Sequence, residues 1–381
     1  MDSVTVKGDV ELLEVESASD LHRFILFPFG LYKNDPNWVA PLISERKAFF
    51  DRHKNPFYRA AKVRFFMARR KSEYVGRIAT CINYNHNEFH QEKTGFFGFL
   101  DVIDDYDVAA LLFKVAMITL KADGMDRMMG PANFSTNHEI GMLVEGYDSP
   151  PMVMMTYNKP YYNDFAERFG LKKIKDLLAF RIDRQAEIDP RLVAMAERIR
   201  TREGIVFRTL KMGDFWAEVE RINDVYNQAW SKNWGFVPMS HEEFRHTAHD
   251  MKQIVDPEMV FIAEVGGKPV GFILSLPNIN QALKYLNGRL FPTGLIKLLW
   301  HTKIKNKIDS VRIITMGIIP EYQKRGIDAL FYMETFKVGP QRGYMWGEMS
   351  WVLEDNVMMV KAIEHLGGKP YKKYRVYEMR V

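Results

Sequence analysis

The chain has 381 residues, 47% hydrophobic and 27% charged, with 17 Pro, 25 Gly and a formal net charge of +5. This composition suits two packed domains, excludes disordered and collagen-like classes, and is too weakly basic to mark a nucleic-acid binder. A single cysteine, Cys81, excludes an internal disulfide framework and a zinc site of several thiolates; with no signal-like apolar start and no membrane-length apolar run, it predicts a cytoplasmic protein, soluble or peripheral on the inner face of a membrane.

In chain order, Lys62 to Arg70 and Tyr74 to Asn83 are β-rich runs around the polar turn Lys71, Ser72, Glu73, a hairpin signal. Phe96 to Ile103 is a third apolar run. Asp107 precedes apolar residues at helical spacing from Val108 to Leu120, which makes it an N-cap candidate. A connection from Gly130 to Pro160 is too long for a plain linker. Tyr161 to Phe169 then reads as a helix ended by Gly170, followed by a strand from Ile174 to Ile182.

The polar stretch from Asp183 to Pro190 marks a domain boundary, placing residues 1–185 in one domain and 186–381 in another. The second half repeats the order of elements. It has a helix from Phe215 to Trp230, a hairpin from Met259 to Leu276 across Gly266 and Gly267, and a strand from Val311 to Ile319. A helix from Ile327 to Val338, a strand from Tyr344 to Trp351, a helix from Asn356 to His365 and a strand from Tyr374 to Met379 complete it. Two copies of one α/β architecture with a mixed sheet follow from that repetition.

The most informative segment is Met316 to Phe336, where a β run ends at Pro320 and a basic loop with Gly326 leads straight into a helix. Such a turn aims unpaired N–H groups and the positive helix end at one point, a ready site for a pyrophosphate, although a plain capped turn has the same outline. Gln323, Lys324, Arg325, Gly326, Ile327 and Asp328 here resemble motif A of the GNAT superfamily of acyl-CoA N-acyltransferases. Asn356, Met359, Ala362 to Leu366, Gly367 and Gly368 resemble its motif B.

The resemblance implies tandem GNAT-like domains with acyl-CoA as the cofactor, acetyl-CoA or longer, and no metal. It places cofactor contacts at Gly317, Ile318, Gln323, Lys324, Arg325, Gly326, Ile327 and Asn356, with a backbone N–H near Gly317 or Ile318, Ile318 by preference, polarising the thioester carbonyl. Two positions depart from the family. Asp328 replaces a small residue beside the pyrophosphate, and Ile363 stands where many members carry a proton-donating tyrosine. On the last paired strand Glu348 and Ser350 share a face by alternation, which makes Glu348 the candidate base with Ser350 beside it. The competing reading of Glu348 is an ion pair with a neighbouring Lys or Arg.

The first half resembles the same superfamily more faintly. Its counterpart of the phosphate loop, Asp101 to Asp107, carries four acids and no glycine, so the fold is kept and the cofactor site lost. The insertion at 130–160 gathers Asn133, Ser135, Asn137, His138 and Glu139, of which Asn133, Ser135, His138 and Glu139 are candidate acceptor contacts; a covering loop is the alternative.

Between Asn278 and Ile308 no acidic residue occurs, while Lys284, Arg289, Lys297, Lys303, Lys305 and Lys307 fall among large apolar residues. The insertion at 280–308 therefore reads as amphipathic, its apolar face either packed on the rest of the protein or, over 283–308, set against an anionic membrane or a long acyl chain. The function expected is acyl transfer from a CoA thioester to a primary amine, a long-chain lipidic one by a faint resemblance to bacterial sphingoid-base N-acyltransferases. The alternatives are an aminoacyl-tRNA-dependent transferase of Fem type and a non-catalytic acyl-CoA sensor; nucleic acid is not favoured.

Overall fold

The computed structural model describes residues 9–186, 190–305 and 307–381. Residues 1–8, 187–189 of the expected interdomain stretch, Asn306, and the side chains of Leu192 and Lys303 lie outside the described part. The chain divides into two compact units. The first takes the sequence up to Asp176 with Leu283–Leu295 and Lys373–Val381, and the second takes Leu177–Ala282 and Ile296–Lys372. The division differs from a linear boundary near 185 because each unit takes its last strand from the other half of the sequence.

In the first unit, Val10–Glu14, Ala61–Arg70, Glu73–Asn83 and Thr94–Val102 form an antiparallel meander, and Thr94–Val102 then runs parallel to Arg127–Gly130. Tyr377 to Arg380 closes this sheet antiparallel to Gly130 to Arg127. The Lys71–Ser72 turn joins Arg70 to Glu73 with Lys71 at φ 55°. The crossover helix is Tyr106–Ala122, and its cap is Asp105 rather than Asp107, because the Asp105 carboxylate accepts from the N–H groups of Asp107 and Val108. Val108, Leu112, Ala116 and Leu120 of that helix are buried against Phe97, Val102 and Ile78 of the sheet.

The second unit has the same order. Ile205–Thr209, Val260–Val265, Lys268–Pro277 and Ser310–Ile318 are successively antiparallel, and Ser310–Ile318 runs parallel to Trp346–Leu353. Leu177 to Asp183 closes the sheet. The Gly266–Gly267 turn pairs Val265 with Lys268, both glycines at positive φ (57° and 78°), as a two-residue hairpin requires. The sheet is covered on both faces. Phe215, Val219 and Ile222 of the Phe215–Trp230 helix pack on one side, and Ile327, Leu330 and Phe331 of the Ile327–Gln341 helix on the other. A fully buried side chain of this size contributes roughly 1.5–3 kcal/mol, so these two faces fix where the parallel strands and their crossover helix lie.

Among the described residues no helix is long and apolar enough to cross a membrane, and no cluster of His, Cys, Asp and Glu could hold a metal ion.

Candidate active site

The site begins where two parallel strands part. Ser310 to Ile313 pair with Trp346 to Met349, and the pairing stops there. The register of Trp346–Leu353 against Leu177 to Asp183 shifts between Met349 and Val352, so Ser350 and Trp351 form a bulge that turns the strand away. A gap opens beside Ile314 to Ile318. Ile318 lies opposite Gly271, and the next residue, Ile319, donates to the Val270 carbonyl. By antiparallel alternation the Gly317 N–H then faces the Lys268–Pro277 strand and the Ile318 N–H faces the gap. Gly317 instead allows close packing, since a Cβ there would lie 3.0 Å from Phe272 and 3.1 Å from Ala229.

Above the gap, Gln323 donates from Nε2 to the Ile318 carbonyl at 2.9 Å, Lys324 has φ 61°, and Gly326 enters the Ile327–Gln341 helix at φ 83° with no side-chain cap. The first N–H groups of that helix are thus left for an external acceptor. Arg325 is held by Glu203 at 2.9 Å, while Lys324 is exposed. Asp328 is half-buried near Tyr332, whose phenol is pushed up by burial first and by Asp328 second. Asn356 caps the Val357–His365 helix by accepting from the Met359 N–H at 3.2 Å. Ile363 is fully buried in the core.

The first unit fills the corresponding places with its own side chains. Asp105 occupies the helix N-terminus and binds Arg70 at 2.7 Å, and Asp101 is buried with Arg77 at 2.6 Å and the Tyr32 hydroxyl at 2.9 Å. Burial outweighs Arg77 and raises the Asp101 carboxyl above its ordinary pKa. The N–H of Phe99, at a left-handed φ of 47°, donates to Asn133 Oδ1 at 2.7 Å. Asn133 in turn donates to Glu139 at 2.7 Å, and Glu139 pairs with Arg46 at 2.8 Å. Ser135 and His138 are bonded at 2.9 Å. These bonds bring the four candidate acceptor residues together beside a stack of Phe49, Phe57 and Phe134.

Opposite the crossover helix, on the other face of the parallel pair, the second unit holds a buried polar cluster. Glu348 accepts from Ser350 Oγ at 2.5 Å and from the Tyr371 hydroxyl, and Arg312 Nε lies 2.9 Å from Ser350 Oγ. Glu348 and Ser350 share a face, as alternation predicts, and Glu348 also makes the ion pair of its competing reading, with Arg312. No local pattern singles out Arg312 as the pairing cation, or Tyr371, which comes from the Lys369–Arg380 strand, because both meet Glu348 only through strand pairing.

No family model matches the sequence. It is 38% identical over 368 residues to Protein YghO of Escherichia coli (strain K12), covering 95% of this chain and 93% of that one. It is 37% identical over 379 residues to bacterial ceramide synthase of Caulobacter vibrioides (strain NA1000 / CB15N), covering 98% of each. The chain belongs to the bacterial ceramide synthase family. In fold, this member matches a tandem GNAT protein from the clavulanic acid biosynthesis pathway with a TM-score of 0.56 at 11% identity, over 97% of this chain and 98% of that one. This chain is therefore an N-acyltransferase with a tandem GNAT fold, and among the described residues the second unit is the one that keeps an open strand gap below an uncapped helix start.

Proposed function

We propose that the second unit transfers a long-chain acyl group from acyl-CoA to the primary amine of a lipid-like acceptor. The observation that carries this reading is the parting of Ser310–Ile318 from Trp346–Leu353 directly below the uncapped helix start at Gly326. The residues present fit a CoA pyrophosphate: Gly326, Ile327 and Lys324 offer N–H groups and charge, with Gln323 and Arg325 shaping the loop and Asn356 fixing the neighbouring helix. CoA supplies an acyl group activated as a thioester. Ile318 N–H donates to the acyl oxygen as negative charge develops on it.

Glu348 is fully buried, so an amine reaches it through an intermediary. The half-buried Tyr371 hydroxyl and Ser350 Oγ, both bonded to Glu348, relay the amine proton inward. Tyr371 then returns a proton to the leaving thiolate, replacing the tyrosine absent at Ile363.

A lipid acceptor is supported by the name of the Caulobacter relative and by the segment 296–305. Ile296, Leu299, Trp300 and Ile304 are 69%, 51%, 47% and 65% exposed, and Lys297 and Lys305 are exposed among them. A solvent-facing apolar stripe in a stretch with no acidic residue from Asn278 to Ile308 suits an anionic membrane surface, where each lysine contributes about 1 kcal/mol. Incubation with palmitoyl-CoA and a long-chain amino alcohol should yield free CoA and an N-acyl amide identified by mass spectrometry. Transfer that instead requires aminoacyl-tRNA and is lost on ribonuclease treatment would overturn the reading, as would binding of acyl-CoA without any turnover.

A further inference from the structure

A second feature of this unit is an apolar cleft beneath the C-terminal half of the Ile327–Gln341 helix, with a cavity volume of about 60 Å³. Its wall includes Val311 and Ile313 from one parallel strand, Gly347 and Met349 from the other, and Tyr332, Phe336 and Gly339 from the helix. Ile313 and Met349 are the last paired residues before the strands part, so the cleft starts where the gap ends. The hydroxyls in its wall are turned into the protein. Tyr332 is bonded to Met359 Sδ at 2.7 Å, Thr335 to the Phe331 carbonyl at 2.9 Å and Tyr344 to Asp256 at 3.0 Å. Apart from Arg184 in its wall, what the cleft presents is mainly hydrocarbon.

Two glycines make the room. A Cβ on Gly347 would meet Val311 at 3.6 Å, and one on Gly339 would meet Met259 at 3.7 Å, both ordinary contacts. Neither glycine has the positive φ that would exclude a side chain. Gly339 also lies inside a helix, where glycine is less favourable than alanine. Backbone geometry does not call for glycine at either place; an open cleft does.

We infer that this cleft holds the alkyl tail of the acyl donor, and that Gly339 and Gly347 set the chain length it accepts. The assignment rests on the proposed acyl-CoA reading. The faces of the parallel pair favour the donor over the acceptor as the source of the chain. Val311, Ile313, Gly347 and Met349 face the crossover helix whose start would bind the CoA, whereas Arg312, Glu348 and Ser350, where the amine proton would go, lie on the opposite face.

The test uses the full chain, with calorimetric titration of palmitoyl-CoA and acetyl-CoA into wild type, Gly347→Leu and Gly339→Leu. Each methylene buried is worth roughly fourfold in affinity, so palmitoyl-CoA should bind wild type more than about 100-fold tighter than acetyl-CoA. Either leucine should weaken palmitoyl-CoA by about tenfold or more and leave acetyl-CoA within about twofold. Independently of the variants' folding, a palmitoyl-CoA carrying a diazirine near its terminal methyl should label wild-type peptides spanning 332–340 or 346–349. Labelling elsewhere, or leucine variants that keep the full palmitoyl preference, would overturn the assignment. Acetyl-CoA binding with no chain preference would sink the cleft alone; absence of binding by either thioester would sink the acyl-CoA reading with it.

Discussion

Arg312 and Glu348 are paired across the parallel strands, Nε 3.4 Å from Oε1, with side chains only 2% and 0% exposed. A buried pair of this kind is costly to break from one side, because the remaining charge has no water to solvate it. Arg312→Met should destabilise the protein by about 3–5 kcal/mol in urea unfolding, and Arg312→Met with Glu348→Met should recover much of that loss. A single-variant loss below about 1 kcal/mol would show that the pair is not a buried ion pair in solution.

Glu348→Gln and Tyr371→Phe probe the chemistry while keeping shape. Each should lower kcat by about 100-fold or more and leave the Kd of CoA nearly unchanged, since neither side chain is placed at the phosphate loop. Steady-state kinetics with a separate CoA titration checks this. A rise in KM at constant kcat would assign both residues to binding instead.

Much of the fold could be read from periodicity. The helices at Tyr161–Phe169 and Phe215–Trp230 begin and end at the expected residues, because a glycine stop or a regular apolar stripe marks them. The cap of Tyr106–Ala122 was misplaced by two residues, since three aspartates offer themselves and only backbone geometry chooses Asp105. The Val10–Glu14 strand and the Ala18–Leu31 helix went unread, as did the exchange of last strands, which no local pattern encodes. At the site, alternation predicts Glu348 beside Ser350, and the contact of Glu348 with Arg312 is the ion pair of the competing reading. Arg312 and Tyr371 themselves were not legible, being 36 positions before and 23 after Glu348 in the sequence and joined to it only by the sheet.

In the first unit Glu139 provides a pH test. Burial would raise its pKa, but Arg46 and Asn133 outweigh burial and hold it below the ordinary 4.5. A depressed folded pKa contributes stability above the unfolded value that is lost as pH falls through the folded one. Unfolding free energy should therefore drop as pH falls below about 4.5, and Glu139→Gln should flatten that part of the profile. An unchanged profile in the variant would contradict the Glu139 to Arg46 assignment.

The exposed segment 296–305 predicts binding to anionic vesicles that Ile296→Glu with Ile304→Glu abolishes without loss of folding, both side chains being exposed. His301 titrates below its ordinary range because of partial desolvation and then Lys307, Lys305 and Lys297. An anionic surface offsets those lysines and favours the imidazolium, so binding should tighten as pH falls through the imidazole range. Cosedimentation at several pH values checks the sign, and a His301→Ala protein should lose the pH dependence while retaining binding. Vesicle binding that ignores lipid charge, or survives the double variant, would rule out this surface.

The contrast between an uncapped helix start at Gly326 and one filled by Asp105 makes the binding of CoA to the second unit alone the central claim. Calorimetric titration of CoA into the full chain measures it most directly. One site per chain is expected, abolished by Gly326→Trp and unaltered by Asp104→Ala with Asp105→Ala, although loss of the Asp105 cap should cost about 1 kcal/mol of stability. Two equivalent sites, or a single site that survives Gly326→Trp and disappears with the aspartate changes, would contradict it.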